Sequence, residues 1–187
     1  MGTAVAPQVE AERSLLLAAL ADALNQRFVL LSDTCVPLYP PALAYLQLMA
    51  EQRSRVNACS NASDPEDPHR RMDFRWHPGM EAAGIKKEQW RKSSQWKVLV
   101  RKHAEVVAND TVVNAAFAKE CWVDKAGPPY SRFCVSDEHQ VPTLLAHLGL
   151  EDETDCAASS HHVRWDGHYY HPHTYTEEEV TCEQAIY

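Results

Sequence analysis

The chain has 187 residues, with 18 Lys and Arg against 26 Asp and Glu, a formal net charge of -8 and an isoelectric point near 5.6. That length suits one domain with a sizeable core, and the acidic balance excludes a sequence-independent nucleic-acid binder, which needs a basic surface to displace counterions from phosphates. The 45% hydrophobic content is that of a folded globular protein, and no run of about eighteen apolar residues offers a bilayer span.

The N-terminal stretch MGTAVAPQVEAERSLLLAALADAL holds an apolar run, but Glu10, Glu12, Arg13 and Asp22 interrupt or flank it, so it does not read as a signal peptide. Gly2 lacks the Ser or Thr of an N-myristoylation signal, because Ala6 stands there. Leu15, Leu16, Ala19, Leu20 and Leu24 recur at helical spacing and predict an amphipathic helix. In RFVLLSDTCVPLYP, residues 28–31 read as a buried strand of an α/β sheet, with Ser32, Asp33 and Thr34 at its carboxyl end. Ligands meet open α/β sheets at that end, although a simple turn cap accounts for Ser32 and Asp33 equally well.

PPALAYLQLMAEQR predicts a helix with Pro in its first turn. Residues 57–79 are polar, hold three of the eleven prolines and predict a long surface loop. Residues 95–100 mix aromatic and β-branched side chains as a strand does, and residues 101–108 read as a helix entered directly from it. TVVNAAFAKECW predicts a short helix, and Gly127-Pro128-Pro129 breaks the chain. FCVSDEHQVPTLLAHL then predicts a helix in which Ser136 caps the start and Asp137 and Glu138 face the positive end of the macrodipole. After an acidic loop over residues 149–160, the alternation around Val163 and Trp165 predicts a half-exposed strand, and a new helix begins at Thr176.

Six cysteines, at 35, 59, 121, 134, 156 and 182, form no Cys-x-x-Cys pair, so a structural zinc site is not predicted. Fifteen disulfide pairings are open. Sequons at Asn61 and Asn109 are compatible with a lumenal location. Five of the ten histidines lie between 161 and 173; a metallohydrolase built on His161, His162, His171 and His173 requires those side chains to converge on one point, and they lack zincin spacing.

Taken in order, NQRFVLLSDTCVPLYP, WRKSSQWKVLVRKHAEVV and FCVSDEHQVPTLLAHL, followed by VRWDG and the His171-Pro172 step, resemble one family. They are similar to the plant and algal branch of the Core-2/I-branching β-1,6-N-acetylglucosaminyltransferases, glycosyltransferase family 14, from about Ala11 to Cys182. The resemblance implies an α/β, GT-A-like (Rossmann-related) fold, a UDP-sugar donor, a glycan acceptor and inversion at the anomeric carbon. Inversion needs one carboxylate to take the proton of the attacking hydroxyl. In the family this base is the Glu of an Asp-Glu-(His or aromatic) triplet, which is Glu138 here, with Asp137 as its neighbour.

Ser32 and Asp33 match the family's acidic stretch on the donor side. Arg91, Lys92, Gln95 and Trp96 match a WRKGSQW loop on the acceptor side, where an indole stacks on a sugar face; Ser93 stands in the Gly position. With no Asp-x-Asp pair, the expectation is transfer without a metal or other cofactor, basic side chains offsetting the charge of the leaving diphosphate. Family members also carry upstream nucleotide-binding strands and a membrane anchor. Residues 1–187 are therefore expected to be one N-terminally truncated, partial domain holding the catalytic and acceptor half, Golgi-lumenal only through an anchor absent from this chain. A catalytically inactive carbohydrate-binding or scaffold remnant is the alternative. Transfer predicts that Asp33, Glu138 and Trp96 share one cleft.

Overall fold

The computed structural model describes residues 3–4, 7–59, 71–124, 132–165 and 172–179. In chain order the elements are β1 (Thr3–Ala4), α1 (Pro7–Leu20), β2 (Arg27–Val29), α2 (Pro41–Ala50), β3 (Ser54–Arg55), β4 (Val98–Val100), α3 (Arg101–Asn109), α4 (Val112–Glu120), β5 (Trp122–Asp124), β6 (Arg132–Phe133), α5 (Ser136–His147) and β7 (Thr154–Asp155). Short 3-10 turns occupy Asp73–Arg75, Pro78–Ala83, Lys87–Gln89 and Glu151–Glu153. A four-stranded sheet in the order β2-β4-β3-β7 is antiparallel except between β3 and β7, and a small antiparallel sheet joins β1, β5 and β6. This mixed α/β arrangement agrees with the GT-A-like expectation. The strand that leads straight into a helix is present too, β4 ending where α3 begins.

Helices α1, α2 and α3 have no basic residue in their last turns, yet their final carbonyls need donors. Arginines from elsewhere in the chain supply them. Arg101 donates to the carbonyls of Leu20, Asp22 and Asn25 just beyond α1, each at 2.9 Å. Arg13 returns the contact, donating to Ala108 and Asp110 at the end of α3 at 3.1 and 2.7 Å. Arg27 on β2 closes α2 in the same way, reaching Leu48 at 3.1 Å and Glu51 at 2.8 Å. These bonds lock α1 and α3 to each other and α2 to the sheet at the ends where backbone groups are otherwise orphaned.

The core is built from Leu16 of α1, Phe28, Leu99, Val107, Phe117 and the Val141, Leu144 and Leu145 face of α5 around the fully buried Trp90. Disulfides join Cys59 to Cys156 and Cys121 to Cys134.

Several expectations change. The buried stripe of α1 is Val9, Glu12 and Leu16, with Ala19 and Leu20 half-buried, whereas Leu15 and Leu24 are exposed. Residues 71–79 are not merely a surface loop: 3-10 turns satisfy their backbone, so Trp76 packs against the core and the Arg75 side chain is only 10% exposed. Residues 162–165 form no strand, because alternation alone provides no neighbouring ladder. Of the helix expected from Thr176, the described part, Glu177–Glu179, is a 3-10 turn, and residues 180–187 lie outside the described residues. Asn61, Gly127-Pro128-Pro129, His171 and Cys182 lie outside the described residues.

One buried polar group ties the sheet to α3. Ser54 Oγ accepts the N–H of Val100 at 2.9 Å and donates to His103 Nδ1 at 2.8 Å, while His103 Nε2 lies 3.5 Å from Glu153. Burial holds the His103 pKa below its ordinary value despite the nearby Glu153 carboxylate, and Lys102 pushes the same way as burial. The folded state therefore binds fewer protons than the unfolded chain, so this contribution to stability is present above the unfolded pKa and is lost as pH falls below it. Stability should decrease by up to about 1.4 kcal/mol per pH unit below roughly pH 6.5 through this residue. Urea titrations at pH 7.5 and 5.5 should show a smaller pH difference in His103→Gln than in the wild type.

Candidate active site

The first turn of α5 carries the acid cluster. Val135, not Ser136, occupies the cap position, and its side chain makes no capping bond; Ser136 lies inside the helix and is buried. The decisive local feature is Pro142, inside α5 and four residues beyond Glu138. Proline has no N–H, so the Glu138 carbonyl loses its helical donor. The N–H of Ser93 takes that place at 2.8 Å.

Three further bonds stitch the same loop to the helix. His139 Nδ1 bonds the Arg91 carbonyl at 2.6 Å, and the Arg91 N–H donates to Thr143 Oγ1 at 3.1 Å. Lys97 Nζ donates to the carbonyls of Asp137 at 2.9 Å and Gln95 at 3.0 Å. Ser93, in the family's Gly position, is fully buried and avoids a left-handed backbone: among the described non-glycine residues only Asn57 and Met72 have positive φ. Its hydroxyl donates to the Ser94 carbonyl at 2.8 Å.

Glu138 itself is partly exposed, at 27% of its side chain. Arg75 Nη1 donates to Oε2 at 2.7 Å, and Lys92 Nζ stands 4.0 Å from Oε1. The carboxylate therefore has one oxygen engaged and the other lightly held. Arg75 Nη1 also lies 3.3 Å from His139 Nε2. The His139 ring is buried and stacks on Trp90 with centroids 4.3 Å apart. Burial lowers its pKa to about 3, opposed by its bond to the Arg91 carbonyl and assisted by Arg75, Lys92 and Lys97. Behind the cluster, burial raises the pKa of Asp137 and of Glu12, with Lys97 opposing in both cases.

The other predicted residues fall into two groups. Lys92, Gln95 and Trp96 lie on the loop stitched to α5: Lys92 approaches Glu138, Gln95 is exposed, and Trp96 is half-buried with its ring 5.4 Å from that of His161. Arg91 stands apart, because its guanidinium forms a two-point bond to Glu151 at 2.6 and 2.9 Å and donates to the Glu88 and Trp90 carbonyls. It supports the site through its backbone.

Ser32 and Asp33 lie in the turn after β2. Antiparallel pairing brings the end of β2 to the start of β4, Leu30 N–H bonding the Lys97 carbonyl at 3.0 Å, so this turn and the loop share one end of the sheet. Asp33 is exposed, and the Ser32 hydroxyl bonds Thr34 and Cys35. Among the described residues no hydrogen bond or ion pair joins Ser32 or Asp33 to Glu138. No group of three His, Cys, Asp or Glu side chains there could hold a metal, and His162 and His173 bond Tyr175 and Glu179 instead of converging.

Sequence reasoning missed Arg75 and gave His139 no role. Arg75 sits in a stretch that reads as polar loop, and nothing in a single chain links it to Glu138 across 63 positions. The signal for His139 was its place beside the acid pair.

A carboxylate at the start of a helix, braced by a loop at one end of a mixed sheet, fits the glycosyltransferase resemblance. The Core-2/I-Branching enzyme family model matches residues 4–185, and the chain belongs to that family, glycosyltransferase family 14. It is 39% identical to Glycosyltransferase BC10 of Oryza sativa subsp. japonica over 197 residues, an alignment covering 94% of this chain and 47% of that protein. The chain thus spans about half the length of the curated relative it matches. No solved structure matches it.

The role of Pro142 has a direct test. Pro142→Ala introduces an N–H that competes with Ser93 for the Glu138 carbonyl. The Ser93 amide should exchange its hydrogen roughly fivefold faster, the scale of one net hydrogen bond of about 1 kcal/mol, in residue-resolved hydrogen-exchange measurements.

Proposed function

We propose that the chain carries the base-bearing and acceptor-side part of an inverting glycosyltransferase that moves a GlcNAc-like or related sugar from a UDP-sugar to a glycan hydroxyl. The observation that carries this reading is the placement of Glu138, accessible at 27% yet fixed between Arg75 and Lys92 on a loop stitched to its own helix. Because Oε2 is engaged by Arg75, Oε1 is the oxygen that takes the proton. The acceptor oxygen attacks C1 of the sugar as its proton passes to Glu138, and the C1–O bond to UDP breaks on the opposite face. Trp96 and Gln95 suit the acceptor side by exposure and chemistry, and Ser32 and Asp33 lie at the same sheet end for the donor side. The absence of an Asp-x-Asp pair supports transfer without a metal.

In this reading residues 1–187 are a partial domain whose nucleotide-binding strands belong to other sequence. Among the described residues no helix is long and apolar enough to cross a membrane. A Golgi-lumenal location draws support from the two disulfides, which suit an oxidising compartment, and from the sequon at Asn109, an exposed residue at the end of α3. A glycan there should give a mobility shift that a peptide N-glycosidase removes and that Asn109→Gln lacks, in chain expressed through a eukaryotic secretory pathway.

A second reading, a carbohydrate-binding or scaffold remnant, is favoured by one observation: the alignment covers only 47% of the relative's length. Calorimetric titration with UDP and UDP-sugars separates the two. Under the transferase reading the wild type binds and transfers, whereas Glu138→Gln binds comparably and loses transfer by about 10²–10⁴-fold. Folded protein that binds neither UDP nor UDP-sugar is the outcome of the remnant reading.

A further inference from the structure

The proton positions around His139 are fixed by its partners. Nδ1 lies 2.6 Å from the Arg91 carbonyl, an acceptor without a proton, so Nδ1 carries the hydrogen. Nε2 lies 3.3 Å from a nitrogen of Arg75, and a guanidinium has only donors, so Nε2 offers its lone pair. Both contacts are satisfied by one species, the neutral Nδ1–H tautomer. A protonated ring would point a second N–H at the guanidinium. The ring cannot turn away easily, because it is fully buried and stacked on the Trp90 indole at an interplanar angle of 20°.

The surroundings act in the same sense. Arg75 faces the ring from the turn at Asp73–Arg75, and Lys92 and Lys97 face it from the loop before β4; all three disfavour a positive imidazole. On its own helix Glu138 is already paired with Arg75, and burial holds the Asp137 pKa up. Arg75 Nη1 thus sits between an imidazole lone pair and Oε2 of Glu138.

We propose that His139 is a positioning residue for sugar transfer: as the neutral Nδ1–H tautomer it holds Arg75 against Oε2 of Glu138 and thereby leaves Oε1 aimed at the acceptor. This rests on the reading of Glu138 as the base. His139 touches neither sugar nor nucleotide in this role. Its effect falls on the orientation of a reacting group, so its loss lowers kcat and leaves KM nearly unchanged.

The test combines a measurement on the unaltered chain with a set of variants. Imidazole ¹⁵N spectra of the wild type should show His139 as the Nδ1–H tautomer and neutral from pH 7.5 to 5; an Nε2–H tautomer, or protonation near pH 6.5, overturns the proposal whether or not the chain is active. In transfer assays His139→Asn keeps an amide donor for the Arg91 carbonyl but is too short to accept from Arg75. It should lose kcat by about 10–100-fold with KM within twofold, the scale of a small misplacement of a reacting group. His139→Gln places an amide oxygen near the Nε2 position and should retain kcat within about threefold, the rescue expected of an acceptor for Arg75. Thermal melts confirm that the variants are folded.

An active wild type matched in kcat by His139→Asn overturns the positioning role alone. A wild type that neither binds UDP-sugar nor transfers overturns the transferase reading, and the positioning role with it.

Discussion

The missing N–H of Pro142 decides how the helix that carries Glu138 meets the rest of the chain. In an unbroken α5 the Glu138 carbonyl would be consumed within the helix, and the loop before β4 would have no backbone acceptor there. With the carbonyl free, Ser93 bonds it, and the neighbouring contacts at Asp137, His139 and Thr143 follow along the same side of the helix. Each such bond contributes only about 1 kcal/mol net, but a buried group left unpaired costs about 1–3 kcal/mol. The loop is held as much by the penalty of undocking as by the gain of docking. Proline in a helix, ordinarily a defect, here creates the joint between the Glu138 helix and the loop that carries Lys92 and Trp96.

That joint contains a fully buried cation. Lys97 lies against the first turn of α5, where the helix dipole is positive and an ammonium is disfavoured. Carbonyls of Gln95 and Asp137 accept its protons, and the carboxyls of Glu12 and Asp137 lie close enough to feel its charge. Burial raises both carboxyl pKa values while Lys97 opposes the rise, so the group balances an unfavourable ammonium against unfavourable carboxylates. On the solvent side of the same turn Arg75 and Lys92 flank Glu138. Glu138 is embedded in a cluster of alternating charge that reaches from Glu12 on α1 to the exposed edge of the site.

The sequence made the helices, the β4-to-α3 transition and the family legible, because helical spacing and ordered motifs are local signals. The triplet singled out Glu138 and the loop motif Lys92 and Trp96, and the fold brings Lys92 to within 4.0 Å of Glu138. Ser93 illustrates what a motif cannot show: it stands in the family's glycine position, yet the backbone there needs no left-handed conformation and the hydroxyl finds a carbonyl. Arg75 was out of reach because its meaning is a contact across the fold. Leu15 and Leu24 face outward for two reasons: periodicity identifies a stripe but not which edge of it packs on α3 and α5, and Leu24 lies in the turn beyond the end of α1 at Leu20. The strand expected near Val163 failed for a related reason, as alternation describes one chain while a ladder needs two.

The disulfides connect compartment to site geometry. Cys134 stands two residues before α5, and its bond to Cys121 ties the entry of that helix to the end of α4. Both sulfurs belong to the buried core, so the link is shielded once formed. A cross-link over a separation of 13 residues restricts the unfolded chain by roughly 3 kcal/mol on the loop-entropy scale, and one over 97 residues by nearly 5. The longer bridge closes Cys59 onto Cys156, just past β7, beside the edge strand that pairs with β3. Oxidation therefore fixes the entry of α5, which carries Glu138, and the far end of the acidic segment whose Glu151 holds Arg91. The Arg91 carbonyl in turn bonds His139 beside Glu138, so covalent links away from the carboxylate contribute to how its surroundings are held.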